Sequence, residues 1–212
     1  MQGIKNIIFD LGGVLLNLDY GLTRKQFEQL GVGNFDAIYS QAQQEQLFDL
    51  YETGKIGNTE FIKGLKKLLP ENTAEGSIID AWNAMLLDFP ENNLHLLREL
   101  KSRYRIFLLS NTNELHIQGF EKIIAEQHCL AGLGSLFEQT YYSSRIGYRK
   151  PDAAIFEYVL EQNGLDKKET LFFDDSIQHI EGASGVGIKA IFVKKPLSIT
   201  DFFDASYNLI EP

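Results

Sequence analysis

Asp10 ends the apolar run Ile7-Ile8-Phe9 and precedes Leu11-Gly12-Gly13, so an acidic side chain emerges where a buried strand meets a glycine turn. A carboxylate in that place is either a turn or helix-cap residue or a nucleophile. Three later segments favour chemistry. Arg105-Ile106-Phe107-Leu108-Leu109 runs into Ser110-Asn111-Thr112-Asn113, whose hydroxyls and amides suit phosphate oxygens. Arg149-Lys150-Pro151 stands before a helical stretch and offers a fixed ammonium, and Thr170-Leu171-Phe172-Phe173 ends in Asp174-Asp175-Ser176. The adjacent carboxylates could cap the next helix and supply its first-turn charge, but at a buried strand end they repel each other unless a cation or lysine is near. One Asp, one hydroxyl, one Lys and an acid pair converge on one sheet edge. Such a set neutralises and moves a negatively charged group.

The elements that must position these residues alternate in period. Strand-like runs lie near 4–9, 105–109, 139–143, 170–174 and 189–193, with helical patterns between most of them, which predicts a parallel α/β sheet covered on both faces. The first two runs are separated by far more chain than a crossover needs. That stretch reads as helix after helix: Leu22–Leu30, Tyr39–Tyr51, Thr59–Leu69 and Thr73–Leu87, before Asn93–Tyr104 returns as a core helix. The expected organisation is a discontinuous core of 1–16 and 91–212 with a helical cap at 17–90.

The chain has 212 residues, enough for a full core, and suits one domain with an insertion or two small domains. Lys+Arg number 20 against Asp+Glu 29, a formal net charge of -9, and that balance lacks the basic footprint of a nucleic-acid binder. Cys129 is the single cysteine; it can form no internal disulfide and reads as a small buried apolar residue. No run approaches a membrane span, and the N-terminus lacks a signal-peptide arrangement, so a soluble cytoplasmic protein is expected.

In order and spacing these motifs resemble the haloacid dehalogenase superfamily over essentially the whole chain. Ser110-Asn111-Thr112-Asn113-Glu114-Leu115-His116, Gly147-Tyr148-Arg149-Lys150-Pro151 and Phe173-Asp174-Asp175 followed by Ile180-Glu181-Gly182-Ala183 are most similar to its alpha-D-glucose-1-phosphate phosphatase-like branch. The resemblance implies a Rossmann-like sheet of about five strands with a helical cap, and magnesium-dependent hydrolysis of a small phosphorylated metabolite, sugar phosphates favoured. It implies that Asp10 is a nucleophile forming an aspartyl-phosphate. One oxygen of Asp10, the Gly12 backbone carbonyl and Asp175 would hold Mg2+, with Asp174 acting through a water or orienting Lys150. Lys150 would keep Asp10 charged and neutralise phosphoryl oxygens, while Ser110 and the amides around Asn111, with the turn at Gly12 and Gly13, would hold the transferring group.

Most phosphatases of this superfamily carry a second Asp two residues after the nucleophile to protonate the leaving oxygen. Here that residue is Gly12, as in the branch resembled. Acidic leaving groups, such as that of a sugar 1-phosphate, tolerate the loss best. Asp19, near the cap hinge, and His116 are the candidate substitutes; the plainer readings are a turn residue and a half-exposed helix residue. His179, four residues after Asp175, either tunes the acid pair or faces solvent, and His95 and His128 carry no such signal. Glu52-Thr53-Gly54 lies where a cap turn would descend on the site, Gly54 otherwise being a helix C-cap. Trp82 reads as cap core rather than a sugar-stacking platform. Three classes compete: the phosphatase, a metal-free 2-haloacid dehalogenase using the same Asp, and a non-catalytic protein that binds a phosphorylated ligand or another protein.

Overall fold

Apolar residues alternate between the two faces of the central strand. In the computed structural model, which describes residues 3–33, 35 and 46–211, β1 (Asn6–Phe9) turns Ile7 and Phe9 to one face and Ile8 to the other. β2 (Arg105–Ser110), β3 (Gln139–Tyr142), β4 (Thr170–Asp174) and β5 (Lys189–Phe192) complete an all-parallel sheet in the order β3-β2-β1-β4-β5. Phe9 lies in register with Leu108 on one side and Phe173 on the other. A strand buried on both faces needs apolar residues throughout, and β1, β2 and β4 supply them.

Between β1 and β2 lie α1 (Tyr20–Gln29), α2 (Leu47–Glu52), α3 (Asn58–Lys66), α4 (Glu75–Asn83) and α5 (Glu91–Leu100). α6 (Glu114–His128) follows β2, α7 (Ser143–Ile146) and α8 (Ala153–Asn163) follow β3, and α9 (Ile177–Gly185) follows β4. Leu94, Leu97 and Leu100 of α5, with Ile117, Phe120 and Ile124 of α6, recur at helical spacing and cover the Phe9 face. Ile155, Phe156 and Val159 of α8 and Ala183 of α9 cover the Ile8 face.

The helices α1 to α4 bury a core of their own, with Phe27, Tyr51, Phe61, Leu65, Ile78 and Trp82 at its centre. One member comes from elsewhere: Leu115, in the first turn of α6. Two connecting stretches join this bundle to the sheet and run antiparallel. The Asn17 amide donates to the Asp88 carbonyl at 2.9 Å, Leu87 to Asn17 at 3.0 Å and Asp19 to Met85 at 2.9 Å, with Leu18 bridging Leu86.

Several boundaries differ from the expected ones. α1 starts at Tyr20 because Asp19 caps it, its carboxylate accepting from the Gly21 amide at 2.8 Å. The helix expected over Thr73–Leu87 stops at Asn83, since Met85 to Asp88 pair with the other connection. Of the helix expected over Tyr39–Tyr51, residues 39–45 lie outside the described residues. Strands at 4–9, 139–143 and 189–193 are shorter at one end, and Ser143 starts α7 instead. Cys129 is exposed rather than buried: it ends α6 at φ 53, its amide donating to the Ala125 carbonyl. No described helix is long and apolar enough to cross a membrane.

Candidate active site

The strand order fixes where a ligand can lie. The chain leaves β1 for β2 and β3 on one side and returns with β4 on the other, so a crevice opens at the carboxyl ends of β1 and β4. Asp10 stands at one lip and Asp174-Asp175 at the other, and the Asp10 amide donates to the Phe173 carbonyl at 2.8 Å. Between them sits Lys150, 0% exposed, whose ammonium donates to Asp10 Oδ1 at 2.6 Å, Asp174 Oδ2 at 2.7 Å and the Leu109 carbonyl at 3.0 Å. An ammonium has three protons, and all are used.

Burial works against charge on Lys150, but the facing Asp10 and Asp174 carboxylates outweigh it and hold its pKa above the usual lysine value. Burial pushes Asp10 up to about 6; Lys150 opposes this, while Asp174 and Asp175 add to it. Asp174 is held low: burial resists, yet Lys150 and His179 prevail. Its oxygens also accept from the Ser176 amide at 2.8 Å and from His179 Nδ1 at 3.0 Å, so Asp174 is held in place against Lys150.

Asp10, Asp174 and Asp175 each offer an oxygen, all within 4.8 Å of one another. Three carboxylates against one ammonium leave two negative charges, and an all-oxygen donor set of that charge fits a hard divalent cation. The glycine turn makes room for it. Gly13 has φ +74, and a β-carbon there would overlap the Asp175 carboxylate, so only a glycine fits beside Asp175.

Asp10, Gly12, Ser110, Asn111 and Asp175 share the wall of a cavity of about 800 Å³ with Glu52, Trp82 and Arg149 from around its rim. Ser110 ends β2 facing this space. The Asn111 side chain has another commitment: it accepts from the Lys150 amide at 2.9 Å and donates to the Lys150 carbonyl at 2.8 Å, clamping the backbone of the buried lysine. Ser143 clamps the same loop, its hydroxyl accepting from the Thr112 amide and donating to the Thr112 carbonyl.

The two substitute-acid candidates are placed differently from each other. Asp19 is an exposed helix cap outside the cavity lining. His116 lines the cavity, but its ring stacks on Trp82 with centroids 4.9 Å apart, Nε2 meets the Trp82 carbonyl at 3.2 Å and Nδ1 meets Asn113 Nδ2 at 3.2 Å. A carbonyl accepts and an amide nitrogen donates, which fixes a neutral Nε2–H imidazole. Burial lowers its pKa to about 4. Both ring nitrogens are spent, so His116 ties α4 to α6. Trp82 is largely buried, stacked on Phe48 at 5.5 Å, with part of its surface in the cavity wall.

Arg149, beside Lys150 in its motif, has a contact that the motif does not announce. It pairs with Asp49 and, at 3.1 Å, with Glu52, so the residue beside Lys150 grips α2. Asp49 and Glu52 lie three apart on a helix, a spacing that presents two carboxylates to one cation. Gly54, at φ +67, packs so closely on the Ser144 carbonyl that a β-carbon would overlap it, and the Tyr51 hydroxyl accepts from the Leu115 amide at 3.1 Å.

Known proteins share this build. Residues 4–187 match the family model described as haloacid dehalogenase-like hydrolase. A D-ribitol-5-phosphate phosphatase of Bacteroides thetaiotaomicron is 28% identical over 188 residues, which cover 88% of this chain and 90% of that protein. The crystal structure of a haloacid dehalogenase (HAD) family enzyme of Bacteroides thetaiotaomicron in complex with magnesium and inorganic phosphate superposes with a TM-score of 0.89 at 34% identity, covering 95% of this chain and 100% of that one. A HAD-like family hydrolase from Porphyromonas gingivalis gives a TM-score of 0.82 at 27% identity, covering 94% and 95%. With the motifs, the sheet order and these likenesses in agreement, the chain belongs to the haloacid dehalogenase-like hydrolases.

Proposed function

We propose that this protein is a magnesium-dependent phosphatase that hydrolyses a small phosphorylated metabolite through an aspartyl-phosphate at Asp10, with residues 17–90 as the cap over its cavity. The observation that carries the reading is the buried Asp10–Lys150–Asp174 triad opening, with Asp175, on a cavity large enough for a sugar phosphate. The relatives that act on ribitol 5-phosphate or were crystallised with magnesium and phosphate support it.

Phosphate esters resist attack because their oxygens repel an incoming carboxylate. Lys150 keeps Asp10 ionised and aimed, leaving the second Asp10 oxygen for phosphorus. Asp10, Asp175 and the Gly12 carbonyl would hold magnesium, which supplies Lewis-acid neutralisation of phosphoryl and carboxylate charge. Ser110 and the backbone amides of the Asn111 loop would fix the transferring oxygens. Attack forms the Asp10–phosphorus bond as the bond to the leaving oxygen breaks; water then attacks phosphorus, releasing inorganic phosphate and restoring the carboxylate.

Among substrates, sugar phosphates are favoured, and sugar 1-phosphates most of all, because no side chain on residue 12 can protonate the leaving oxygen. A dehalogenase would use the same Asp10 to displace halide from carbon and would have no use for a third carboxylate at the β4 end. The test is phosphate release from a panel of phosphorylated metabolites, with magnesium and with chelator. Release that a chelator abolishes is expected. Undiminished release in chelator, halide release from 2-chloropropionate, or no turnover of any phosphate would overturn the proposal.

A further inference from the structure

The space beside Gly12 is filled. A β-carbon built on Gly12 would lie 2.6 Å from Leu18 Cδ1 and 3.6 Å from Leu18 Cγ, so the room that a side chain at position 12 would take is held by a leucine methyl. Leu18 is not free to drift away with its backbone. It sits in the antiparallel pair of connections, bridged to Leu86, with hydrogen bonds at Asn17 and Asp19 on either side. With Leu16, Met85 and Leu86, it gives this part of the cavity wall an apolar surface.

Several polar groups around that wall are already engaged. The Thr23 hydroxyl donates to the Trp82 carbonyl at 3.3 Å and accepts from the Met85 amide at 3.1 Å. His116 has both ring nitrogens engaged, and Asp19 caps α1 outside the cavity. Glu52 is held by Arg149, next to Lys150 in the chain.

We infer that Leu18 is a specificity-determining residue: it occupies the side-chain space of position 12 and gives the departing oxygen an apolar seat there in place of an acid, selecting phosphates whose leaving group departs as a stable anion. The inference rests on the phosphatase reading and narrows its substrates to acyl, aryl and hemiacetal phosphates over esters of primary alcohols. In such a substrate Asp10 bonds to phosphorus, the ester bond breaks, and its electron pair stays on the leaving oxygen with no proton delivered from position 12. General-acid help is worth about 10² to 10⁴ in rate, so its absence separates the two substrate groups by a measurable factor.

The experiment compares kcat/KM for acetyl phosphate, a series of aryl phosphates and glycerol 3-phosphate in the full-length protein, Leu18→Ala, Gly12→Asp and the double variant. The expected pattern is a steep dependence on leaving-group acidity in the parent and an aryl-over-alkyl ratio that falls at least threefold in Leu18→Ala as water reaches the leaving oxygen. The double variant should gain at least tenfold on glycerol 3-phosphate relative to phenyl phosphate, and Gly12→Asp alone far less. An equal gain from Gly12→Asp alone, or no gain from a folded double variant, would overturn the role of Leu18. Should the double variant not fold, an unchanged ratio in Leu18→Ala overturns it equally. A parent protein that turns over none of these phosphates, acetyl phosphate included, removes the phosphatase reading itself and the inference with it.

Discussion

Lys150 and His116 are both titratable side chains enclosed at the same cavity, yet one is charged and the other neutral. Lys150 faces two carboxylates and a carbonyl, all acceptors, which more than offset what burial takes away. Among the described residues His116 faces one carbonyl and one amide donor, and no carboxylate, so burial decides. Enclosure alone therefore does not set the charge of a group; the sign of its partners does. The sheet edge is assembled to hold charge, and the seam between α4 and α6 is assembled to exclude it.

The comparison breaks most sharply at Lys150. Lys150→Met leaves two carboxylates without their cation and should cost about 3–5 kcal/mol in urea denaturation, with activity reduced at least ~10³-fold. Adding Asp174→Leu should recover much of that stability and none of the activity. Recovery of activity would mean that the triad is only structural.

On the neutral side, the unfolded chain protonates His116 as pH falls below its ordinary 6.5, while the folded protein does so only near 4. The unfolded state then binds more protons, so stability falls between pH 6.5 and 4 by on the order of 3 kcal/mol from this group, and the contribution is fully present above 6.5. Denaturation across that window should show a shallower fall in His116→Gln. Equal slopes would refute the neutral assignment.

The excess charge at the sheet edge predicts a smaller effect. Magnesium at a hundred times its dissociation constant should stabilise the protein by about 2.7 kcal/mol, seen as a rise in Tm, and Asp175→Asn should lose most of it. The smallest effect concerns the grip of Arg149 on α2. Its pairs are partly solvated, so Arg149→Gln should cost about 1 kcal/mol or less, read as a rise in KM of roughly fivefold at unchanged Lys150 geometry. A collapse of kcat in that variant would place Arg149 in the chemistry.

Asp10, Ser110, Lys150 and the Asp174-Asp175 pair were legible because each is announced locally, by polar residues following a buried run or a basic residue before a proline. What their neighbours do was not. The fold commits the Asn111 side chain to the Lys150 backbone, and nothing in its own segment encodes that pairing. Leu18 reads as one apolar residue among many, since its place beside Gly12 comes from the two connections running side by side. Cys129 shows the opposite case: a small apolar side chain favours burial, but the end of α6 turns it outward. Arg149 is foreshadowed by the paired acids Asp49 and Glu52 on α2, whose spacing calls for one cation.

Leu115 ties these observations to the way the molecule folds. It belongs to the packed interior of the inserted helices although its own helix stands on the sheet, and its amide is capped by Tyr51 from the insertion. The inserted segment is thus no detachable cassette: excising it would strip the start of α6 of its cover, next to the loop that carries Ser110 and Asn111. Sheet and insertion should melt in a single cooperative transition, and a segment grafted from a relative would have to bring a matching socket for Leu115.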